Sequence, residues 1–140
     1  MSVTTGSPAA PPSPGTRRPS VIAYRHNGMR DLAPSIVRQR LVVEGTCGAP
    51  IDDRLIREYL RRLSVVCDMH VLLEPVTHRS DRYGWAGWVH WETSGAHFYA
   101  WEDPLFFSVD VYTCKRFDAG AVVDFTRRFL GALDIVSKSF

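Results

Sequence analysis

No apolar run in this 140-residue chain approaches the about 20 residues that a membrane span requires. The N-terminal stretch "MSVTTGSPAAPPSPGTRRPS" lacks the charged-then-apolar design of a secretory signal. Cysteine is scarce and odd in number (Cys47, Cys67 and Cys114), with no CxxC pair. That argues against a disulfide framework or a zinc knuckle and fits a reducing compartment. The expected location is therefore cytoplasmic, with no membrane contact. An excess of charge of one sign is also missing: 17 Lys and Arg stand against 15 Asp and Glu, for a net charge of +2. The basic residues are scattered through "RRP", "RRL" and "TRRF" among apolar residues, so no nucleic-acid partner is expected. There is no Gly-rich phosphate loop, HExxH or GxSxG. The histidines show no metal-ligand spacing on any one element, and no metal is expected; His90 and His97 read as a cross-strand contact across a turn.

What is present suits one soluble domain: 45% hydrophobic and 23% charged residues, in a chain long enough to bury its own core. Residues 1–20 are rich in Pro, Ser, Gly and Thr and read as a disordered tail, because they offer too little apolar surface to offset ordering. Residues 21–37, with "VIAY", are a short strand or an arm lying on the domain. The folded domain spans 38–140. "RLVVEG" (Arg40 to Gly45) is a β-branched strand run. A helix follows, capped by Asp52 or Asp53, with Leu55, Ile56, Tyr59, Leu60, Leu63 and Val66 at helical spacing. "HVLLEPV" (His70 to Val76) is a strand expected to stop at Pro75. "GWAGWVHWE" alternates, placing Trp85, Gly87, Val89 and Trp91 on one face and Ala86, Trp88, His90 and Glu92 on the other. "AHFYAWE" and "LFFSVDVYTC" add two strands joined through Asp103-Pro104. A second helix should bury Val122, Phe125, Phe129 and Leu133, and "DIVSKSF" reads as an edge strand. The order β-α-β-β-β-β-α-β implies an α+β two-layer sandwich, an antiparallel sheet with two helices on one face. The aromatic residues left on the other face suggest a partner subunit or a ligand there.

The stretch "HWETSGAHFYAW" interrupts two aromatic runs with Thr93, Ser94 and Gly95. This is either a plain hairpin turn or a serine placed for backbone chemistry. Cys114, at a strand end, is either packing or an acid beside a pocket. Asp110, inside the apolar "SVDVY", is either on the solvated face or buried and paired.

The company of Ser94 bears on the choice. "LVVEG" with Cys47 and the "DDRLIREYL" helix, His78-Arg79 followed by "GWAG", Trp101, and above all "SVDVYTC" resemble blocks of the bacterial S-adenosylmethionine decarboxylases, over roughly Arg38 to Leu133. A gapless match places Ser94, twenty residues before Cys114, on the serine at which such proenzymes cut themselves. The resemblance implies that the serine hydroxyl attacks the preceding carbonyl at Thr93–Ser94, and that the resulting ester eliminates. Loss of ammonia then leaves a pyruvoyl group on the new N-terminus, so that residues 1–93 and 94–140 become two chains. That ketone would serve as an electron sink for decarboxylating a small amino-acid-type substrate, with Cys114 returning the proton. Trp101, Asp103 and Ser80 would line the substrate pocket, and the oligomer would be a homodimer with the pocket near the interface.

The departures are specific. Thr93 precedes the serine where the family has glutamate. Tyr99 stands where a histidine assists elimination, Ala86 where a serine helps processing, and Ser80 where an aromatic lies against the ligand. Asp103 replaces a glutamate. Tyrosine is a poor base near neutrality, and His97 would substitute if the strand bulges. Two readings follow: a self-processing pyruvoyl-dependent decarboxylase of polyamine synthesis, acting on S-adenosylmethionine or on another amino acid, or a non-cleaving homologue used as a binding or regulatory subunit.

Overall fold

The computed structural model describes residues 25–26 and 29–140. The Pro/Ser-rich segment 1–20 lies outside them, as do residues 21–24 and 27–28 of the arm. What is described of the arm begins with two short antiparallel strands, β1 (Arg25–His26) and β2 (Met29–Arg30). The chain then turns around Asp31, whose carboxylate accepts from the Ala33 amide at 2.9 Å and pairs with Arg38.

Six strands form one antiparallel sheet: β3 (Gln39–Thr46), β4 (Val71–Arg79), β5 (Gly84–Trp91), β6 (Ser94–Glu102), β7 (Leu105–Thr113) and β8 (Asp134–Ser139). Their spatial order is β4-β5-β6-β7-β3-β8. The first strand of the domain is thus inserted between two later ones, and β8 closes the edge as the sequence suggests. Helices α1 (Asp53–Val66) and α2 (Ala119–Leu130) cover one face. Asp52 caps α1 by accepting from the Leu55 amide at 2.8 Å, and Asp118 caps α2 through the Ala121 amide at 3.0 Å.

The core lies between the layers. Ile56, Tyr59, Leu60 and Leu63 of α1 and Val122 of α2 meet Leu41, Val43, Val89, Trp91, Phe98, Phe107, Val109 and Val111 of the sheet, all fully buried. Each large side chain so buried contributes roughly 1.5–3 kcal/mol. The Tyr59 ring packs edge-on to Phe98, with centroids 5.0 Å apart, and stacks on Phe125 at 5.3 Å. Its hydroxyl bonds the Thr126 hydroxyl at 2.8 Å, and Thr126 also donates to the Val122 carbonyl at 2.7 Å, so the buried polar groups satisfy one another. Burial pushes the Tyr59 phenol up and the Cys67 thiol up to about 12, which keeps Cys67 out of thiolate chemistry. Gly87 lets α1 approach the sheet, since a Cβ there would stand 2.6 Å from Cγ2 of Ile56.

Two expectations are corrected. β4 does not stop at Pro75 but runs on to Arg79. It is an edge strand, and Pro75 falls within the register shift between Leu73 and Val76, where the ladder needs no amide from it. Leu133 does not belong to the buried stripe of α2. Gly131, at φ 58°, ends the helix, and Leu133 is 73% exposed, while Thr126 takes a buried position instead.

Candidate active site

Trp91 pairs with Ser94, so β5 and β6 are joined by only two residues, Glu92 and Thr93. Such a tight turn calls for a positive φ, and Thr93 adopts φ 60°. For a β-branched residue this is a strained conformation, held here by the flanking ladder. The Thr93 hydroxyl donates to the Glu92 carbonyl at 2.7 Å. The peptide that follows Thr93 is the one the sequence marks for attack.

Side-chain alternation along β6 turns Ser94, Ala96, Phe98 and Ala100 toward the helices and His97 and Tyr99 toward the open face. Ser94 is only 9% exposed. Its Oγ accepts from the backbone N–H of Cys114 at 3.0 Å, and the Cys114 thiol donates to the Thr93 carbonyl at 3.1 Å. Both the amide and the thiol of Cys114 thus lie against the Thr93–Ser94 junction, one on the serine hydroxyl and the other on the preceding carbonyl. The thiol sits on the oxygen where negative charge would develop if Oγ attacked that carbonyl.

Cys114 is placed by the end of β7. The Thr113 hydroxyl donates to the Lys115 carbonyl at 2.6 Å, bending the chain just past the strand. The Lys115 ammonium then reaches Asp68, at the C-terminal end of α1, with Nζ 2.7 Å from its carboxylate. This hydrogen bond, reinforced by the charge of Lys115, holds the Asp68 carboxyl below its ordinary range. Asp68, His70, Glu92, Ser94, Cys114 and Lys115 surround a cavity of about 370 Å³ on this side.

On the open face the same turn borders a larger cavity of about 650 Å³ with Trp88, His90, His97, Asp110 and Tyr112 in its walls. Asp110 accepts two hydrogen bonds from Arg40, at 2.9 and 2.6 Å, which answers its ambiguity in the sequence: it is paired, on the open face. His90 and His97 are not directly opposed; His90 pairs with Gly95, and His97 with Trp88 and Asp110.

The residues marked by sequence fall into two groups. Thr93, Ser94 and Cys114 meet at one end of the β5–β6 hairpin. Ser80, Tyr99 and Trp101 meet at the other, around a 170 Å³ pocket that Ala86 also lines. The Tyr99 and Trp101 rings stand 6.2 Å apart, and Asp103 lies beyond them in the β6–β7 turn. Tyr99 lies five positions along the strand from Ser94, about 16 Å. Within one chain the two groups do not touch. Among the described residues no three His, Cys, Asp or Glu side chains are grouped to hold a metal, and no helix is long and apolar enough to cross a membrane. Asp68, His70 and Lys115 were not singled out by sequence. The pairing of Val71 with Trp91 brings Asp68 and His70 to this end of the sheet, and Lys115 follows Cys114 at the end of β7.

A two-layer α+β sheet with this connectivity is the fold of a known class of carboxy-lyase. The chain is similar to the crystal structure of the adenosylmethionine decarboxylase from Aquifex aeolicus VF5, with a TM-score of 0.63 at 17% identity, over 75% of this chain and 89% of that one. The family model of S-adenosylmethionine decarboxylase matches residues 46–140, and the chain belongs to that family. The match reaches through β8 to the last residue. No curated protein matches the chain.

Proposed function

We propose that the chain is a self-processing decarboxylase whose pyruvoyl group is made from Ser94. The observation that carries this reading is the grip on the Thr93–Ser94 peptide: Oγ held at 3.0 Å by the Cys114 amide, and the thiol at 3.1 Å from the carbonyl to be attacked. The residues present fit the group, since the serine whose carbon skeleton becomes it and the donor that polarises the preceding carbonyl are both in place. Oγ bonds to the Thr93 carbonyl carbon, the C–N bond breaks and an ester joins the two segments. Elimination then releases the Thr93 carboxylate, and water displaces ammonia from position 94. Once formed, a pyruvoyl group supplies an electron sink for loss of CO₂. Cys114 then stands beside position 94 as the proton donor to the product carbon.

The substrate of this reading is a small amino-acid-type molecule: S-adenosylmethionine by family, or another amino acid such as arginine or ornithine, given Ser80 and Asp103. Its setting is cytoplasmic polyamine synthesis. The active assembly is a homodimer formed through the open face, where Trp88, Tyr99 and Tyr112 are exposed. A second copy laid antiparallel there brings its own Tyr99–Trp101 end toward the Thr93–Ser94 turn.

One observation favours a second reading, a non-cleaving subunit of the same fold. Tyr99 and His97 both lie on the face away from the Ser94 hydroxyl, and among the described residues no side chain accepts its proton. Intact mass separates the two. Two fragments, the second starting at position 94 with the mass of a pyruvoyl terminus, establish processing when the Ser94→Ala chain stays whole. Screening amino acids for CO₂ release then identifies the substrate. A wild-type chain that remains whole for days rejects the enzyme reading.

A further inference from the structure

We infer that His70 is the proton acceptor for the Ser94 hydroxyl in processing, an inference that rests on the self-cleaving reading. The position where a histidine would be expected to assist holds Tyr99, about 16 Å along the strand and on the opposite face. His90 and His97 share that open face, whereas Ser94 is turned toward the helices. Ser94 borders the 650 Å³ cavity together with these two histidines, which makes them competing acceptors, but the direction of its side chain favours a base on the helix side of the turn.

The α1–β4 connection supplies it. Val71 pairs with Trp91, and Trp91 with Ser94, so His70 stands two strands from Ser94 at the same end of the sheet. Strands lie about 4.8 Å apart, which puts the two backbones roughly 10 Å from each other. An imidazole reaching into the shared cavity, with one water, would bridge that gap, an arrangement general bases commonly use. Both residues border the 370 Å³ cavity.

The other charged or titratable groups around that cavity are Asp68, Glu92, Cys114 and Lys115. Asp68 and Lys115 are bound to each other, and the Cys114 thiol is directed at the Thr93 carbonyl. Glu92 flanks the turn and is the competing acceptor. A neutral imidazole accepts a proton at one ring nitrogen and can hand it on, so His70 can take the Oγ proton and return it to the departing nitrogen of residue 94. In that step the Oγ–C bond forms, the Thr93–Ser94 C–N bond breaks and the proton passes from Oγ to His70 to nitrogen. No further reactant is consumed.

The test follows cleavage of the full chain by intact mass from the moment of synthesis in a cell-free system. It compares wild type with the His70→Ala, His70→Gln and Glu92→Gln chains across pH, with and without added imidazole. The expected result is wild-type cleavage that quickens as pH rises, and loss of about 100-fold or more in both His70 variants. Imidazole should restore the rate of His70→Ala, which a purely structural defect would not allow. Wild-type cleavage with an unchanged rate and pH profile in the His70 variants overturns the inference and leaves the decarboxylase reading standing. The same holds if Glu92→Gln alone abolishes the rate. A wild-type chain that never cuts overturns both.

Discussion

At Thr93 a β-branched side chain occupies a backbone conformation that glycine adopts freely, at a cost on the order of 1–3 kcal/mol. The strain sits on the residue whose carbonyl accepts from the Cys114 thiol, so it raises the energy of the peptide that the proposed processing would break. In an uncut Ser94→Ala background, Thr93→Gly should raise stability by about 1 kcal/mol, read from the denaturation midpoint. With Ser94 retained, the same change should slow cleavage. An unchanged midpoint would mean that the turn stores no strain. Asp68 yields a second residue-scale expectation. Lys115 lowers its carboxyl below the ordinary range, so the clamp contributes above the unfolded aspartate value of about 3.9. It is lost as pH falls through the lower, folded value. The Asp68 side-chain carbon resonance should titrate at a lower pH than in a Lys115→Ala chain, and coincident curves would remove Lys115 as the cause.

Among the elements, those with clean periodicity were legible in the sequence, and those governed by their neighbours were not. Helix α1 is foreshadowed by Ile56, Tyr59, Leu60 and Leu63, all of which are buried. The alternation of Trp85, Gly87, Val89 and Trp91 likewise matches the helix-facing side of β5. Pro75 misleads because a proline that forbids a central strand is tolerated at an edge with shifted register, and edge position is a tertiary fact. Leu133 misleads because Gly131 ends the stripe before the apolar pattern does. Gly87 gives the element-scale prediction. A Cβ there meets Cγ2 of Ile56 at 2.6 Å and Cγ2 of Thr77 at 3.1 Å, so Gly87→Val should push α1 off the sheet. The expected loss is about 1–3 kcal/mol by chemical denaturation, and an unaltered midpoint would show that the helix packs less closely than described.

For the molecule as a whole, half of the site was legible. Ser94 and Cys114, marked together in the sequence, are in contact in the structure, with Oγ 3.0 Å from the Cys114 amide. Placing Tyr99, Trp101 and Ser80 beside them did not follow, because β6, which carries Ser94, Tyr99 and Trp101 in line, also holds them apart, and Ser80 lies at the Tyr99 end. Homodimerisation through the open face would reconcile the two groups. Trp88→Glu combined with Tyr112→Glu should then reduce the mass seen by light scattering from twice the chain to 15.8 kDa, while an unaltered mass would place the interface elsewhere. The strand order carries a last consequence. A break after Thr93 leaves β3, β4 and β5 on one fragment and β6, β7 and β8 on the other, and β3 lies between β7 and β8. The two pieces are interleaved and should stay joined by every rung of the β5–β6 ladder. Before the break, folding is a first-order event. After it, recovery from denaturant requires two molecules to meet, so maturation would make the fold dependent on concentration and, at high dilution, a one-way process.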